Sequence, residues 1–544
     1  MMLVANDSVS LFAIAVIFWA YAEIHYRFRF VPSRYYLPLP EVVADVPWRI
    51  EPGQAVPVLL LIKDAHRFPI HLQRVDVHLR GGAGPERHET FAFNQAIETH
   101  WWHRVLWLRR HADDAGLREI TVHIHLRRGQ TDYHFINDNY RILPPRPFEV
   151  YFATEPLPRL PDFYTGDLHT HSSYTEDQVE FGAPPRAMVP LARAAGFHFF
   201  AITDHSYDLD DEPANYLKND PDLRKWRAFQ TEVAGLNEAS SFVVLAGEEV
   251  SCGNVRQRNV HFLVLNHRRF VPGAGDSAEK WLRTTPDLSI EQILQRTEPQ
   301  ALYFAAHPGA VPPLLEKRLL GRGVWEPADV QHAGLHGLQI WNGDPQDFER
   351  AERLWIESLL RGQRLRVIAG SDAHGNFGCY RQIQMPHLKM RQESRFHVFG
   401  AHRTLVWLPH GLSRESLLRA LAVGQASLSE GPVCALFAHA PGTAGVAMGG
   451  ELATDRGYLQ VTAVSSEEFG GLARVRVFRG RIGNEREEVF LDVGLQGESA
   501  YDLMVPIETR QAVYYRAEVI SRFSDGRRLR GLSNPIWHRP RGSS

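Results

Sequence analysis

The stretch spanning residues 166–177, GDLHTHSSYTED, constrains this chain more than any other. Two histidines one residue apart follow the short segment 163–168, after a proline-punctuated approach (Pro156, Pro158, Pro161). In a strand, residues i and i+2 point to one face, so His169 and His171 present both imidazoles to a single point. Asp177 follows in a polar loop and can return a carboxylate to that point. Taken alone, the stretch also reads as two surface histidines beside a serine loop.

The surrounding pattern decides between the two. From residue 159 to about 426 the chain alternates apolar strand and amphipathic helix, which predicts a parallel α/β sheet or barrel. Helices are expected over 184–195, 225–239, 290–297 and 347–360, and strands over 197–203, 242–246, 259–265, 301–306, 337–341 and 365–369. Uninterrupted apolar runs of this kind suit strands buried on both faces. Nearly every one delivers a metal-competent residue at or just past its C-terminal end. FFAIT leads to Asp204 and His205, FVVLAG to Glu248 and Glu249, ALYFAA to His307, and RVIAGS to Asp372 and His374. NVHFLVL instead carries His261 within it. In a barrel of parallel strands the C-terminal rim is where sites form, so these residues are expected to converge.

Histidine and carboxylate without cysteine define the ligand chemistry. The three cysteines, Cys252, Cys379 and Cys434, are too scattered for a thiolate site or a disulfide framework. Imidazole suits Zn and Fe, and carboxylate suits Mn. Nine donors are too many for one ion, since a catalytic zinc takes three protein ligands, so two to three divalent ions (Zn, Mn or Fe) with a bridging carboxylate are expected. Such ions clamp attacking and leaving oxygens and acidify a bound water. No G-x-S-x-G turn or CxxC pair offers a protein nucleophile, which points to hydrolysis by hydroxide.

At 544 residues the chain exceeds one compact core. Residues 1–30 form an apolar N-terminal segment. Its charge-free part, 8–22, is short of a full membrane span, and no basic residue precedes it. Membrane association through residues 3–22, a buried or partner-docked helix, and a signal peptide all stay open. Aromatics and arginines on its C-terminal side favour a downstream domain that stays cytoplasmic. Short alternating strands at 56–62, 74–79, 105–108, 120–126 and 133–136 predict a β-sandwich over 40–150. His123 and His125 repeat the H-x-H spacing there but lie mid-strand with no carboxylate loop following, as one polar face of a half-exposed strand does. The metal domain is expected over 159–428 and a second β-sandwich over 429–540. Net charge of −3 disfavours nucleic acid as a partner and leaves a small-molecule substrate.

The middle segment resembles the PHP (polymerase and histidinol phosphatase) superfamily of metal-dependent hydrolases. The resemblance rests on the H-x-H opening (His169, His171), Asp177, the ITDH at 202–205, the GxE at 247–249, His261, His307 and the GSDAH at 370–374. It implies a distorted seven-stranded (β/α) TIM-like barrel flanked by β-sandwiches. It also implies a trinuclear site on His169, His171, Asp177, His205, Glu249, His261, His307, Asp372 and His374, with Glu249 bridging two ions and Glu249, Asp372 and His205 at the centre of catalysis. The G-x-E alignment selects Glu249 over Glu248, and Asp204 is expected to orient a ligand histidine. Gly-Asn-Phe at 375–377 and the flanking β domains look like the branch that includes carbamate hydrolases.

Phosphoester hydrolysis is the preferred expectation, with Arg256, Arg258 and Arg381 as candidates to hold phosphate oxygens. Hydrolysis of a carbamate, ester or amide in an apolar pocket of Tyr174, Phe377 and Tyr380 is the alternative. A 5'-3' exonuclease and a non-catalytic binding module are lesser ones.

Overall fold

The structure, a computed structural model, describes residues 39–82, 84–139, 145–175, 181–213, 215–238, 242–275, 283–385, 389–393, 397–442 and 445–541. The apolar segment 1–30 lies outside them. No helix among the described residues is long and apolar enough to cross a membrane.

The first region pairs two sheets over one apolar core. Glu41–Asp45, Val56–Lys63 and Trp101–Leu108 form the smaller, antiparallel sheet. The larger runs Arg49–Ile50, Phe148–Phe152, Gly116–Arg128, Ile70–Arg80, Arg87–Ile97, with Thr131–Ile136 also on Gly116–Arg128. Alternation sets the layers. Ile120, Val122, Ile124 and Leu126 are buried, while His123 and His125 between them are only partly covered. Each apolar side chain taken out of water contributes about 1.5–3 kcal/mol.

The middle region departs from expectation. It does not form the expected (β/α)7 TIM-like barrel, and strand dominates the molecule as a whole, with 33 strands against seven α-helices among the described residues. Its strands belong to a mixed sheet running Arg366–Ala369, Gly337–Trp341, Leu302–Ala305, Asn259–Leu265, Val243–Gly253, Phe199–Ile202, Phe163–His171, Arg403–Trp407, Ala426–Ser429 and on into C-terminal strands. The physical reason is visible at one connection. Only residues 254–258 separate Val243–Gly253 from Asn259–Leu265, and a parallel crossover needs a dozen residues or more. The two strands therefore pair antiparallel, and the next pair, with Leu302–Ala305, is antiparallel too. The helix expected at 290–297 shrinks to Ile290–Leu294.

Beyond residue 429 the ladder continues without a break. Ala426–Ser429 pairs with Arg528–Ser533, which pairs with Val513–Arg522. A four-stranded sheet of Val446–Ala447, Val433–His439, Arg456–Val464 and Ala500–Glu508 shares an apolar core with these strands. Charged contacts tie the regions together. Arg49, fully buried, donates to Glu468 at 3.0 Å and to the Ala195 carbonyl at 2.8 Å, and also pairs with Glu51. Removing one partner of such a buried set costs about 3–5 kcal/mol.

Two histidines at strand starts make the sheet acid-sensitive. Burial, reinforced by the charges of Arg159 and Arg366, presses His198 and His336 down to about 4. The Tyr303 N–H donates to His336 Nδ1 at 3.3 Å, a bond that only the neutral ring accepts. In the unfolded chain these rings protonate near 6.5, so the unfolded state gains protons first as pH falls. Their contribution is complete above 6.5 and is lost as pH falls towards 4, at about 1.4 kcal/mol per unit for each ring. Denaturant titrations across that window should show stability falling, and H198Q/H336Q should flatten the slope. An unchanged slope would remove these rings as the cause.

Candidate metal centre

Neighbouring strands deliver the ligands through backbone bonds that fix their relative height. Phe163–His171 ends in His169 and His171. His205 lies three residues past Phe199–Ile202 and bridges in parallel to Glu249. The Glu249 N–H donates to the Asp204 carbonyl at 3.1 Å, and the Asp372 N–H to the His169 carbonyl at 2.8 Å. Ala373–His374 pairs back onto Thr170–His171. His261 comes from within Asn259–Leu265, and His307 from just past Leu302–Ala305, where the Ala306 N–H donates to the His261 carbonyl. His307 (φ 28) and Asp372 (φ 55) adopt the left-handed backbone region, a conformation that costs a non-glycine residue about 1–3 kcal/mol and concentrates at functional sites.

Eight of the nine expected ligands meet there in three overlapping groups, each able to hold an ion: His171, His205 and His374; His169, His171, Glu249 and Asp372; and Glu249, His261 and His307. Asp177 lies outside the described residues. Glu249 Oε1 lies 2.7 Å from His261 Nδ1 and 3.0 Å from His307 Nε2. Its Oε2 lies 3.4, 3.3 and 3.1 Å from the facing nitrogens of His169, His171 and His205. Asp372 Oδ1 is 3.0 Å from His171 Nε2 and 3.2 Å from His169 Nε2, and those two nitrogens are 3.2 Å apart. Two donors about 2.1 Å from one ion sit about 3.0–3.4 Å from each other, so the spacing fits metal ligation.

The hydrogen bonds behind the ligands orient the rings the same way. Gln339 Oε1 accepts from the His307 N–H at 3.2 Å, while its Nε2 donates to the Gly370 carbonyl at 3.1 Å and to Asn342 Oδ1 at 2.6 Å. The amide orientation is thereby set. His169 Nδ1, 2.8 Å from Gln339 Oε1, must donate, which leaves the Nε2 lone pair facing inward. His374 Nδ1 likewise donates to the Asp372 carbonyl at 3.2 Å. The buried His374 Nε2 has no hydrogen-bond partner among the described residues, and His205 Nδ1 faces Glu249 Oε2. Ligand histidines are held by their second nitrogen in this manner.

Burial disfavours the charged form of Glu249, but the imidazoles of His261, His169 and His205 outweigh it and hold the carboxyl well below the usual range. Asp372 behaves the same way between His169 and His171. Both carboxylates are thus ionised donors. Burial lowers His171, yet hydrogen bonds with Asp372 and Glu249 carry it up to about 10. A bound cation takes the place of protons held in such a site.

Other expectations resolve unevenly. Glu248 points to the opposite face, accepting from Trp226 Nε1 and His267 Nε2 at 2.6 Å each. Among the described residues Asp204 bonds to the loop after His171 rather than to a ligand ring. It accepts from Ser172 N–H (2.7 Å), Ser172 Oγ (2.6 Å) and the Thr175 N–H (3.2 Å), so it fixes the loop after His171. Arg256 and Arg258 are exposed in the 254–258 turn, where Arg256 pairs with Glu326 at 3.1 Å. The side chain of Arg381 lies outside the described residues. Tyr174 and Phe377 serve packing, against Phe229 and Phe399 respectively.

Sequence reasoning missed Gln339, Asn342 (donating to Asp372 Oδ2 at 3.2 Å), Thr175 (3.3 Å from His171 Nδ1) and His397 (3.9 Å from Asp372 Oδ2). It also missed Asp167, which accepts from the N–H groups of His169, Ser371 and Gly400. A polar Gln339 inside the apolar strand Gly337–Trp341 was the available signal.

No protein-family model matches this chain, and no curated protein does. Among solved structures, alpha-2-macroglobulin from Escherichia coli aligns with 95% of this chain and 24% of its own, at 8% identity and a TM-score of 0.15. A Parabacteroides merdae beta-glucuronidase aligns with 93% of this chain and 66% of its own, at 9% identity and a TM-score of 0.17. A Paenibacillus cycloisomaltooligosaccharide glucanotransferase covers 91% and 71%, at 9% identity and a TM-score of 0.16. The chain spans about a quarter of the first of these and about two thirds of the second. At such TM-scores the alignments carry no argument about fold or function.

Gln339→Ala frees the His169 ring from its partner and should weaken metal binding about 10- to 100-fold with circular dichroism unchanged, read by competition with a chelator. Gly370→Ala should do more damage, because a Cβ there meets the His169 backbone nitrogen at 2.6 Å. Unaltered affinity in Gln339→Ala would remove Gln339 from the site.

Proposed function

We propose that this protein is a metal-dependent hydrolase that binds two to three divalent ions and acts on a phosphoester. One observation carries the reading: the two oxygens of a single buried carboxylate, Glu249, face different imidazole groups within a set of eight donors. That arrangement suits a carboxylate shared between ions. His169, His171 and Asp372 form the middle position, His261 and His307 one flank, and His205 and His374 the other. The H-x-H, ITDH and GSDAH motifs shared with PHP hydrolases support the same chemistry.

Bound divalent ions supply Lewis acidity at the scissile bond and acidify a water. The chain's own part is to orient and to balance charge. Gln339 and the Asp372 carbonyl fix the His169 and His374 rings. Tyr207 stacks on His205 at 4.7 Å and limits its rotation. Because six of the eight donors are neutral imidazoles when ligating, only Glu249 and Asp372 offset the ions among them. The loaded centre is therefore strongly cationic, which favours an anionic phosphoester over a neutral carbamate. This replaces the role foreseen for Arg256 and Arg258.

Glu249→Gln should lower bound metal and reduce turnover of p-nitrophenyl phosphate, or its bis-ester, by at least about 100-fold while the fold persists. Elemental analysis and both assays on one preparation test this. Full metal content with undiminished turnover would exclude Glu249. Turnover of p-nitrophenyl carbamate alone would move the substrate class, and less than one ion per chain after Mn or Zn loading would overturn the metalloenzyme reading.

A further inference from the structure

We propose that Asp64, His66 and His100 form an additional metal site, for one divalent transition ion of the zinc class, at a corner of the N-terminal sandwich. The same closeness of ligand atoms that gathers the central groups gathers these three, all within 4.8 Å of one another. Asp64 and His66 follow the strand Val56–Lys63, and His100 precedes Trp101–Leu108, the strand it pairs with. The two arms are joined before any ion arrives. The Asp64 N–H donates to the His100 carbonyl at 2.7 Å, and the His66 N–H to the Thr99 carbonyl at 3.1 Å. The N–H groups of Arg67 and Phe68 return to the Asp64 carbonyl at 3.1 and 3.2 Å, closing the turn that aims His66 back.

His100 Nε2 stands 3.3 Å from Asp64 Oδ1, inside the ligand–ligand spacing of a four-coordinate ion, and the His66 and His100 rings meet edge to face at 4.7 Å. The Asp64 carboxyl is buried while His66 is exposed. One side of the site is thus dry, and water can complete the coordination on the other. Two imidazoles and one carboxylate select a zinc-like ion over Ca or Mg, which prefer oxygen donors.

The position gives the ion a consequence. Lys63 and Trp101, the adjacent cross-strand pair, lie against Phe181, with Lys63 Nζ 4.6 Å from that ring and the Trp101 ring 5.7 Å away. Phe181 leads directly into Gly182, whose N–H donates to the Ser172 carbonyl beside His171. An ion at the corner therefore braces the segment that rests next to the central ligands.

The test uses the full chain, stripped by chelator and reloaded with Zn²⁺ alone or Co²⁺ alone, with ions per chain counted by elemental analysis and by the visible Co²⁺ spectrum. His66→Gln/His100→Gln should bind one ion fewer than the unaltered chain, at unchanged circular dichroism. The same pair of substitutions added to Glu249→Gln should also remove one ion, which separates this site from the central one. Equal ion counts with and without the two substitutions, in both backgrounds, would overturn the proposal whatever the fate of the centre. The single variant His66→Gln, altering only an exposed ring, should already lower Zn²⁺ affinity and guards against misfolding of the double variant.

Discussion

The structure turns on the cost of burying negative charge. Glu249 sits in the interior and Asp372 is only partly exposed beside it, and an uncompensated carboxylate is very expensive to bury. Six imidazoles surround them, and their facing nitrogens have few other partners. Such an assembly is stable only with protons or metal ions among the donors, so the folding problem and the ligand problem are one. The positive φ at His307 and Asp372 belongs to the same balance. Local backbone strain is tolerated because ligand direction is over-determined by Gln339, Asn342 and the paired strands.

That geometry was largely legible in the sequence, and the fold around it was not. His169-x-His171, His307 and Asp372-x-His374 could be read from residue type and strand ends, His261 from within its strand, and His205 and Glu249 from the family resemblance, which chose each from a pair of candidates. Alternation lets only one of Glu248 and Glu249 face the site, and the structure commits Glu248 to Trp226 and His267 on the other face. The barrel expectation failed for a reason just as simple. Apolar runs report burial on both faces but not direction, and the 254–258 turn is too short for a crossover. The expected strands 242–246 and 259–265 left a dozen residues between them, and only the longer observed strand Val243–Gly253 shortens that connection to a turn.

Gln339 and Asp167 were invisible for another reason. A single amide or carboxylate in an apolar strand has no periodic partner in sequence, and its role exists only once strands distant in the chain lie side by side. Asp167 gathers N–H groups from His169, Ser371 and Gly400, which are more than 200 residues apart at the extremes. The expectation for Arg256 misled in the opposite direction. Arg256 looked available because it lies near His261 in sequence, but the hairpin that carries it points its charge to Glu326.

The flanking β regions are mechanically part of the centre rather than appendages. Phe163–His171 would be an edge strand without Arg403–Trp407, and edge strands are poor places to hold ligands to a fraction of an ångström. Arg403–Trp407 is itself covered by Ala426–Ser429, and the ladder passes on to Arg528–Ser533. From the far end, Arg516 and Arg530 reach Glu352 on Pro345–Leu360, the helix that feeds the strand before Asp372. Arg49 closes the other side by joining the first sandwich to Glu468 and to the Ala195 carbonyl. Cutting the C-terminal region away would leave Ala426–Ser429 as an edge and take Glu468 from the buried Arg49, and cutting the first sandwich away would take Arg49 from Glu468, so pairings from all three regions support the sheet that carries the ligands.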